Sequence, residues 1–491
     1  MSPIARAARQ TFVALRVRNY RLYFFGQVIS ASGTWMHAVA LGLLVLSDRL
    51  HGNGFNVGIV TALQFLPMLL LGSWGGLVVD RVDKRRLLYA TQSASGVLAL
   101  ALGLLVALGT VNMAEVYLIA TLFGVVNLFD NPARQTFVSE MVGRDLMPNA
   151  ISLNSVVMNS ARVIGPAVGG ILIFAVGLAA CFLFNAASYV AVLVALFMMR
   201  PAELHQRPVV VRAKGQVRDG LRYAWSTRGL RDPLLVMAVV GIFAFNFTTT
   251  LPLLATRTFH GGAGTYSALM AAMGAGAVIG GLIVAHRSKP STAMLSVIGL
   301  AFGVMLLVVA AAPTEVVALV VLVFMGLCSI AFIATANATI QLQADPAMRG
   351  RVMALYAIAF LGSTPIGAPL VGWIADISNP RVAVMVGGVA TLAACVPLAL
   401  RYRRGGRMSE ATLGVKLEIS DAEPGEVVDF APQPINDARS PGDQVRIRPV
   451  GSERQRTLPI DRDRRHRVRT SGVEGAPAGD VALTGPETPR G

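Results

Sequence analysis

Twelve stretches of this 491-residue chain are each long and apolar enough to cross a bilayer. About twenty residues at 1.5 Å rise span roughly 30 Å of hydrocarbon. Windows of that kind fall near 22–46, 57–79, 86–109, 113–130, 150–176 and 178–199. After a polar break, six more fall near 233–256, 265–285, 291–312, 315–342, 352–375 and 381–400. Lipid cannot hydrogen-bond a peptide group, so lone spans of this length must be helices. The expected fold class is all-α integral membrane, with twelve transmembrane helices in two six-helix, pseudo-symmetric halves.

Charge fixes the expected orientation. Residues 1–402 carry 28 Lys/Arg against 13 Asp/Glu, and residues 403–491 carry 15 against 14. The basic excess therefore belongs to the apolar body, which argues against nucleic acid as a partner. With a cytoplasmic N-terminus, the inner loops hold "RVDKRR" (81–86), Arg134, Arg144, eight basic residues between Arg200 and Arg231, "HRSKP" (286–290), "RGR" (349–351) and "RYRR" (401–404). The outer loops hold only Arg49, Arg257 and Arg381. Lys/Arg-rich loops stay in the cytoplasm, so both termini are expected there, in a multi-pass protein of the cytoplasmic membrane. The basic N-terminal run precedes an apolar stretch too long for a signal-peptide core, which reads as a retained first span.

Five regions follow: an N-terminal cytoplasmic segment (1–20), a first bundle (21–200), an inter-bundle loop (201–231), a second bundle (232–402) and a tail (403–491). In the loop, Val217, Leu221, Ala224 and Trp225 share one helical face, and Arg218 and Arg222 share another. That pattern predicts a short amphipathic helix at the inner membrane surface. The tail is rich in Pro, Gly, Asp and Arg without apolar periodicity, a composition expected to stay disordered. Cys181, Cys328 and Cys395 lie in apolar runs without metal-ligand spacing, so they read as small core residues, and no metal or cofactor is expected. "GAGAVIGG" (274–281) has no Lys-Ser/Thr and no flanking strand, so it reads as helix packing. No catalytic set appears, and an enzyme is not expected.

The two halves repeat. "PAVGG" (166–170) aligns with "PLVGW" (369–373) at an offset of 203 residues, which also lays Ala133 on Ala336 and Thr136 on Thr339. Two similar bundles enclosing a midplane cavity describe alternating access. The glycines and prolines of that repeat, Gly165, Pro166, Gly169 and Gly170 in the fifth span and Pro365, Gly367 and Pro369 in the eleventh, allow close helix approach and bending.

"GLVVDRVDKRR" (76–86) resembles the signature loop of the major facilitator superfamily. The resemblance implies an inner gate formed by Gly76, Asp80, Arg81, Lys84 and Arg85, with Asp80 bracing helices of both halves. Asp83 stands where that family often has glycine, and the second-half loop "GGLIVAHRSKP" (280–290) lacks the aspartate. "DNPARQTFVSEMVGRDLMPNAISLNS" (130–155) and "RGRVMALY" (349–356) are similar to the exporter branch that includes enterobactin and macrolide efflux proteins. "ARVIGPAVGGIL" is similar to the fifth-helix motif of drug and siderophore antiporters. These likenesses imply export of a small amphipathic molecule in exchange for protons.

For the cavity and its coupling site, Arg162 is the sharpest candidate. An arginine near mid-bilayer costs at least about 2.5 kcal/mol unless something meets it. Asn159 lies one turn before it, and Asp130 is the expected acidic partner. Gln27, Ser30, Thr34 and His37 form a stripe on the first span; His37 titrates near neutrality when unperturbed and is a proton candidate. Asn127, Asn246 and Asn337 add polar groups on other spans. Proton-driven drug exporters of the superfamily often carry a deep carboxylate and an arginine in the fourth span. The apolar window 113–130 gives Asp130 only at its inner end, and no arginine. Alternatives remain: an uncoupled facilitator or importer, or a non-transporting scaffold acting through its tail. The expected partners are a small-molecule substrate, protons and lipid, and the expected working unit is a monomer.

Overall fold

The structure is a computed structural model that describes residues 12–143, 145–205, 216–285, 290–346, 348–360 and 362–418, with side chains placed as far as Arg401 in the last helix. Arg144, His286–Lys289, residues 206–215 and the tail from 419 lie outside the described residues.

The first half is six helices: α1 (Arg18–Val45), α2 (Gly54–Arg81), α3 (Lys84–Leu108), α4 (Met113–Val142), α5 (Met147–Val176) and α6 (Leu178–Met198). Polar side chains start them where chain direction reverses. Asn53 and Asn56 form a reciprocal cap on α2, Asn112 and Glu115 do the same for α4, and Asp83 caps α3 by accepting from the Arg86 amide at 2.8 Å. The residue that departs from the signature loop thus has a local structural role.

A short helix α7 (Gln216–Ser226) leads into the second half. The seventh span is built from α8 (Arg228–Phe243), α9 (Phe247–Leu253) and a single π turn over Leu254–Thr258. Then come α10 (Ala263–Ala285), α11 (Thr292–Ala311), α12 (Glu315–Gln343), the eleventh span as α13 (Arg349–Phe360) plus α14 (Thr364–Ile377), and α15 (Pro380–Glu418). Among the described residues, twelve segments meet the length and hydropathy needed to cross a membrane. The α15 helix runs past residue 402, into the stretch that composition assigns to the tail.

The matched Gly-Pro motifs behave differently. Pro166 lies inside an unbroken 30-residue α5, whereas the eleventh span ends one helix at Phe360 and starts another at Thr364, with Pro365 in its first turn. Proline tolerates a first turn because its missing N–H is unneeded there. On α7 the expected apolar face divides: Ala224 is buried, while Leu221 and Trp225 are exposed. Gly220 meets the Arg351 side chain, and Tyr223 Oη accepts from the Asp345 amide at 3.1 Å, so the helix docks on the second half.

Helices in lipid gain little from the hydrophobic effect, so close backbone approach carries their packing. Within the first half, a Cβ on Gly124 of α4 would stand 2.7 Å from the Leu63 carbonyl of α2. The second half repeats this contact, with Gly326 of α12 against the Met273 carbonyl of α10. Two seams join the halves. Along the first, Gly54 and Gly372 face each other's carbonyl oxygens, and Gly58 lies against Ala368 and Pro369. Along the second, Gly170 of α5 packs toward Ser267 of α10, and a Cβ on Gly274 of α10 would stand 3.0 Å from the Arg162 carbonyl.

Gly326→Val is expected to lower stability in detergent by about 1–3 kcal/mol, because the new side chain has only backbone to meet. A thermal melt of the purified chain reads this; an unchanged midpoint would contradict the packing described.

Candidate transport site

The first seam ends in a polar clamp. Asp376, at the end of α14, accepts from the backbone N–H groups of Gly54 (2.8 Å) and Phe55 (2.7 Å), the first turn of α2 in the other half. Arg257, on the π turn, holds the same carboxylate at 2.6 Å. A carboxylate at a helix N-terminus satisfies orphan donors and the positive end of the dipole. The clamp lies at the sparsely charged end of the spans, where Arg257 is one of three basic loop residues. Neither residue stood out from the sequence; an acid and a base isolated at that end were the available signal.

Below the clamp, α1, α2 and α9 enclose a cavity of about 180 Å³. Its polar groups are Thr34, Thr61, Gln64 and Thr248, and its walls are apolar apart from these, with Trp35 on one side. Thr34 is the member of the first-span stripe that reaches this cavity. The stripe's other residues turn into the first half. Gln27 and Ser30 are buried, and His37 is packed edge-on between Phe123 (5.2 Å) and Phe182 (4.9 Å). Two residues along a helix rotate a side chain by roughly 200°, so Trp35 and His37 face opposite ways. His37 therefore does not line the cavity, contrary to expectation.

Asp130 is also placed differently from expectation. The α4 helix does not stop near residue 130 but runs to Val142, with Pro132 inside it. Thr136 Oγ1 donates back to the Pro132 carbonyl at 2.9 Å. Arg134 is consequently a residue of the fourth helix rather than of a loop, one turn beyond Asp130. Its Nε pairs with Asp130 Oδ2 at 2.8 Å, and its terminal nitrogens donate to Gln27 and Asn131 at 3.0 and 3.3 Å. Thr91 Oγ1 and Gln92 Nε2 each donate to Asp130 Oδ1 at 2.7 Å. The carboxylate is thus saturated by α3 and α4, and the expected Asp130–Arg162 pair is not formed. Hydropathy ends a span at a charge, but two opposite charges one turn apart neutralise each other and the helix continues.

Arg162 is at the midpoint of α5, with its guanidinium carbon 5.1 Å from the centre of the Trp35 ring. Its Nε is buried without a hydrogen-bond partner. Asn159 donates to the Ser155 carbonyl, and Asn337 accepts from Gln341. Asn246 is buried at the break between α8 and α9, donating to the Ile242 carbonyl at 2.6 Å, and Asn127 is half-buried on α4. These four are not among the cavity's lining residues.

In the signature loop, Gly76 and Asp80 are half-buried near the end of α2 and Arg81 is exposed. Lys84 pairs with Glu140 of α4 at 3.9 Å, and Arg85 donates to the Leu196 carbonyl of α6 at 2.7 Å. These basic residues staple α3 to α4 and α6 within the first half.

A family model for a transmembrane secretion effector matches residues 9–413. The chain belongs to this family of major facilitator transporters. The transporter is 24% identical to the staphyloferrin A transporter of Staphylococcus aureus, over 78% of this chain and 95% of that one. It is 26% identical to the multidrug efflux pump Tap of Mycobacterium tuberculosis (73% and 87% covered) and 24% identical to the enterobactin exporter EntS of Shigella flexneri (78% and 91%). Among solved structures, a bacterial homologue of the lysosomal transporter Spinster, inward-facing and unoccupied, superposes with a TM-score of 0.61 at 14% identity, covering 78% of this chain and 95% of that one. The nucleoside transporter NupG gives 0.60 at 11% identity, over 79% and 99%. The transporter is therefore a multi-pass membrane protein of this fold, not an enzyme.

Arg134→Met leaves a buried carboxylate without its cation and is expected to cost about 3–5 kcal/mol. Adding Asp130→Leu should recover most of that loss in denaturant titrations of the purified transporter; a double variant as unstable as the single would contradict the pairing. At the clamp, Asp376→Ala removes a helix cap worth about 0.5–2 kcal/mol. Maleimide labelling of a Thr61→Cys reporter from the sparsely charged side should quicken by roughly two- to thirty-fold in that background.

Proposed function

We propose that this transporter exports small amphipathic molecules across the cytoplasmic membrane by alternating access, in exchange for protons. The observation that carries the reading is the cavity between α1, α2 and α9, roofed by the Asp376 clamp. A binding space between two halves joined at one end is what a rocking carrier needs. The Lys/Arg-rich loops support a cytoplasmic position for the opposite end and for both termini. With that orientation the clamp closes the outer side, and cargo enters from the inside. The relatives' names, a siderophore transporter, a siderophore exporter and a drug pump, support the export direction and the cargo size.

The coupling site in this reading is the Asp130–Arg134 pair. Asp130 is buried between two helices, paired with Arg134 and accepting from Thr91 and Gln92; a proton on it removes the ion pair and frees Arg134, which also donates to Gln27 of α1, to rearrange. Because α1 also forms the cavity wall at Thr34 and Trp35, a proton on Asp130 is transmitted to the cargo site through one helix. One chain holds cavity, clamp and coupling pair, so the working unit is the monomer.

Purified protein in liposomes, loaded with one cationic and one anionic fluorescent dye and given an imposed pH gradient, tests this. Wild type should move at least one dye faster with the gradient than without it. Asp130→Asn should keep the gradient-independent flux and lose the acceleration. Gradient-blind flux in both proteins would reject proton exchange in favour of an uncoupled facilitator, and no flux of either dye would count against transport of such cargo.

A further inference from the structure

We infer that the cargo carries a carboxylate, and that Arg162, held against Trp35, is the group that binds it. This deepens the transport reading above and rests on it. Arg162 lies halfway along a 30-residue spanning helix, about 21 Å from either end at helical rise, too deep to reach the headgroups. Among the described residues it makes no ion pair and no hydrogen bond through its buried Nε. The one acid at comparable depth, Asp130, is committed to Arg134, Thr91 and Gln92. Every other acid within the membrane spans of the described residues lies within about one turn of a span's end. Among the described residues the one deep carboxylate is thus committed elsewhere, and the Arg162 Nε has no partner.

Its position is also the right one for cargo. The guanidinium covers the Trp35 ring, and Trp35 is a wall of the 180 Å³ cavity. Gly165, one turn further along α5, brings that helix onto Ser32 and Trp35, where a Cβ would stand 2.5 Å from the Ser32 carbonyl. Gly274 of the second half packs close to the Arg162 backbone carbonyl, which a Cβ there would meet at 3.0 Å. The cation therefore stands on the seam between the halves, beside the binding space, where its environment changes as they rock.

An arginine fork matches a carboxylate with two parallel donors, and the centre of the Trp35 ring lies 5.1 Å from the guanidinium carbon. Thr34, Thr61 and Gln64 offer further hydrogen-bonding groups in the cavity, and the aliphatic walls suit an apolar or aromatic skeleton. A cationic cargo meets repulsion here, with no free acid to offset it. The structure accordingly selects amphipathic carboxylates over lipophilic cations.

Equilibrium binding of radiolabelled phthalate, an aromatic dicarboxylate, to the detergent-purified full chain tests the inference without requiring flux. Wild type should bind phthalate, with uncharged dimethyl phthalate and cationic tetraphenylphosphonium failing to compete. Arg162→Gln should weaken binding about ten-fold or more, and Arg162→Lys, which keeps the charge and loses the fork, should fall between. Size-exclusion profiles and melting midpoints establish that both variants are folded; if the glutamine variant is not, the lysine variant and the competition series still decide. Wild-type protein that takes no phthalate, wild-type affinity in Arg162→Gln, or equal competition by dimethyl phthalate would each overturn the assignment. Displacement of phthalate by phosphatidylglycerol at lower concentration than by unlabelled phthalate would assign the cation to a lipid phosphate and overturn it too. Phthalate binding that depends on Arg162, alongside absent dye flux, would sink the transport reading and leave the anion site standing.

Discussion

No water reaches the hydrocarbon layer to solvate a charge or hydrogen-bond a peptide, and the rest of the structure follows from that deficit. Backbone groups close on themselves as helices. Because lipid is as apolar as leucine, the helices then hold together through contacts that need small residues, as at Gly124, Gly326 and the Gly54–Gly372 seam. Polar side chains answer the same deficit by finding each other. Asp130, Arg134, Thr91, Gln92 and Gln27 bond to one another across three helices of the first half. Arg162 is conspicuous because, among the described residues, its buried Nε has no such partner and the Trp35 ring lies against its guanidinium.

The two halves share an architecture and have divided its duties. At the offset of 203 residues, Ala133 and Ala336 are both fully buried, as close-packed positions in each bundle require. The same offset lays Asp130 on Ile333 and Arg134 on Asn337, so the ion pair belongs to the first half alone. The second half fills its interior with aromatic contacts: Phe245 stacks on Phe302 at 5.1 Å and meets Phe360 edge-on at 5.2 Å. It also contains both broken spans, the seventh between Phe243 and Phe247 and the eleventh between Phe360 and Thr364, where the corresponding first and fifth spans are continuous. The first half thus holds the deep ion pair and the second the broken spans. The clamp joins them by placing a carboxylate from a broken span on the N-terminus of an unbroken one.

Particular residues mark how far the sequence could be read. The twelve spans were visible because twenty apolar residues in a row have one physical meaning. Arg162 was visible because an isolated charge inside such a run is costly wherever the helix points. Arg134 was misplaced into a loop because a hydropathy window treats each charge separately, whereas the folded helix pairs it with Asp130 one turn earlier. His37 and Thr34 were grouped because they share a stripe, yet a stripe has width. Thr34 borders the cavity at one edge, and His37 is buried among phenylalanines at the other. Asp83 looked like a fault in the signature loop and is the cap of α3. Trp35, Gln64 and Thr248 carried no signal, since nothing in an apolar run tells which side faces a partner helix.

What the sequence determined by itself is therefore the set of quantities that depend on short stretches: span number and length, the bias of Lys and Arg toward one end, the internal repeat and the presence of an unsolvated arginine. Tertiary structure alone decided which carboxylate pairs with which cation, which glycines form seams, and which face of α1 lines the cavity. Those outcomes join residues such as Gly54 and Asp376, or Trp35 and Arg162, that are far apart in the chain. Their energy comes from geometry between helices, and local composition holds no record of that geometry.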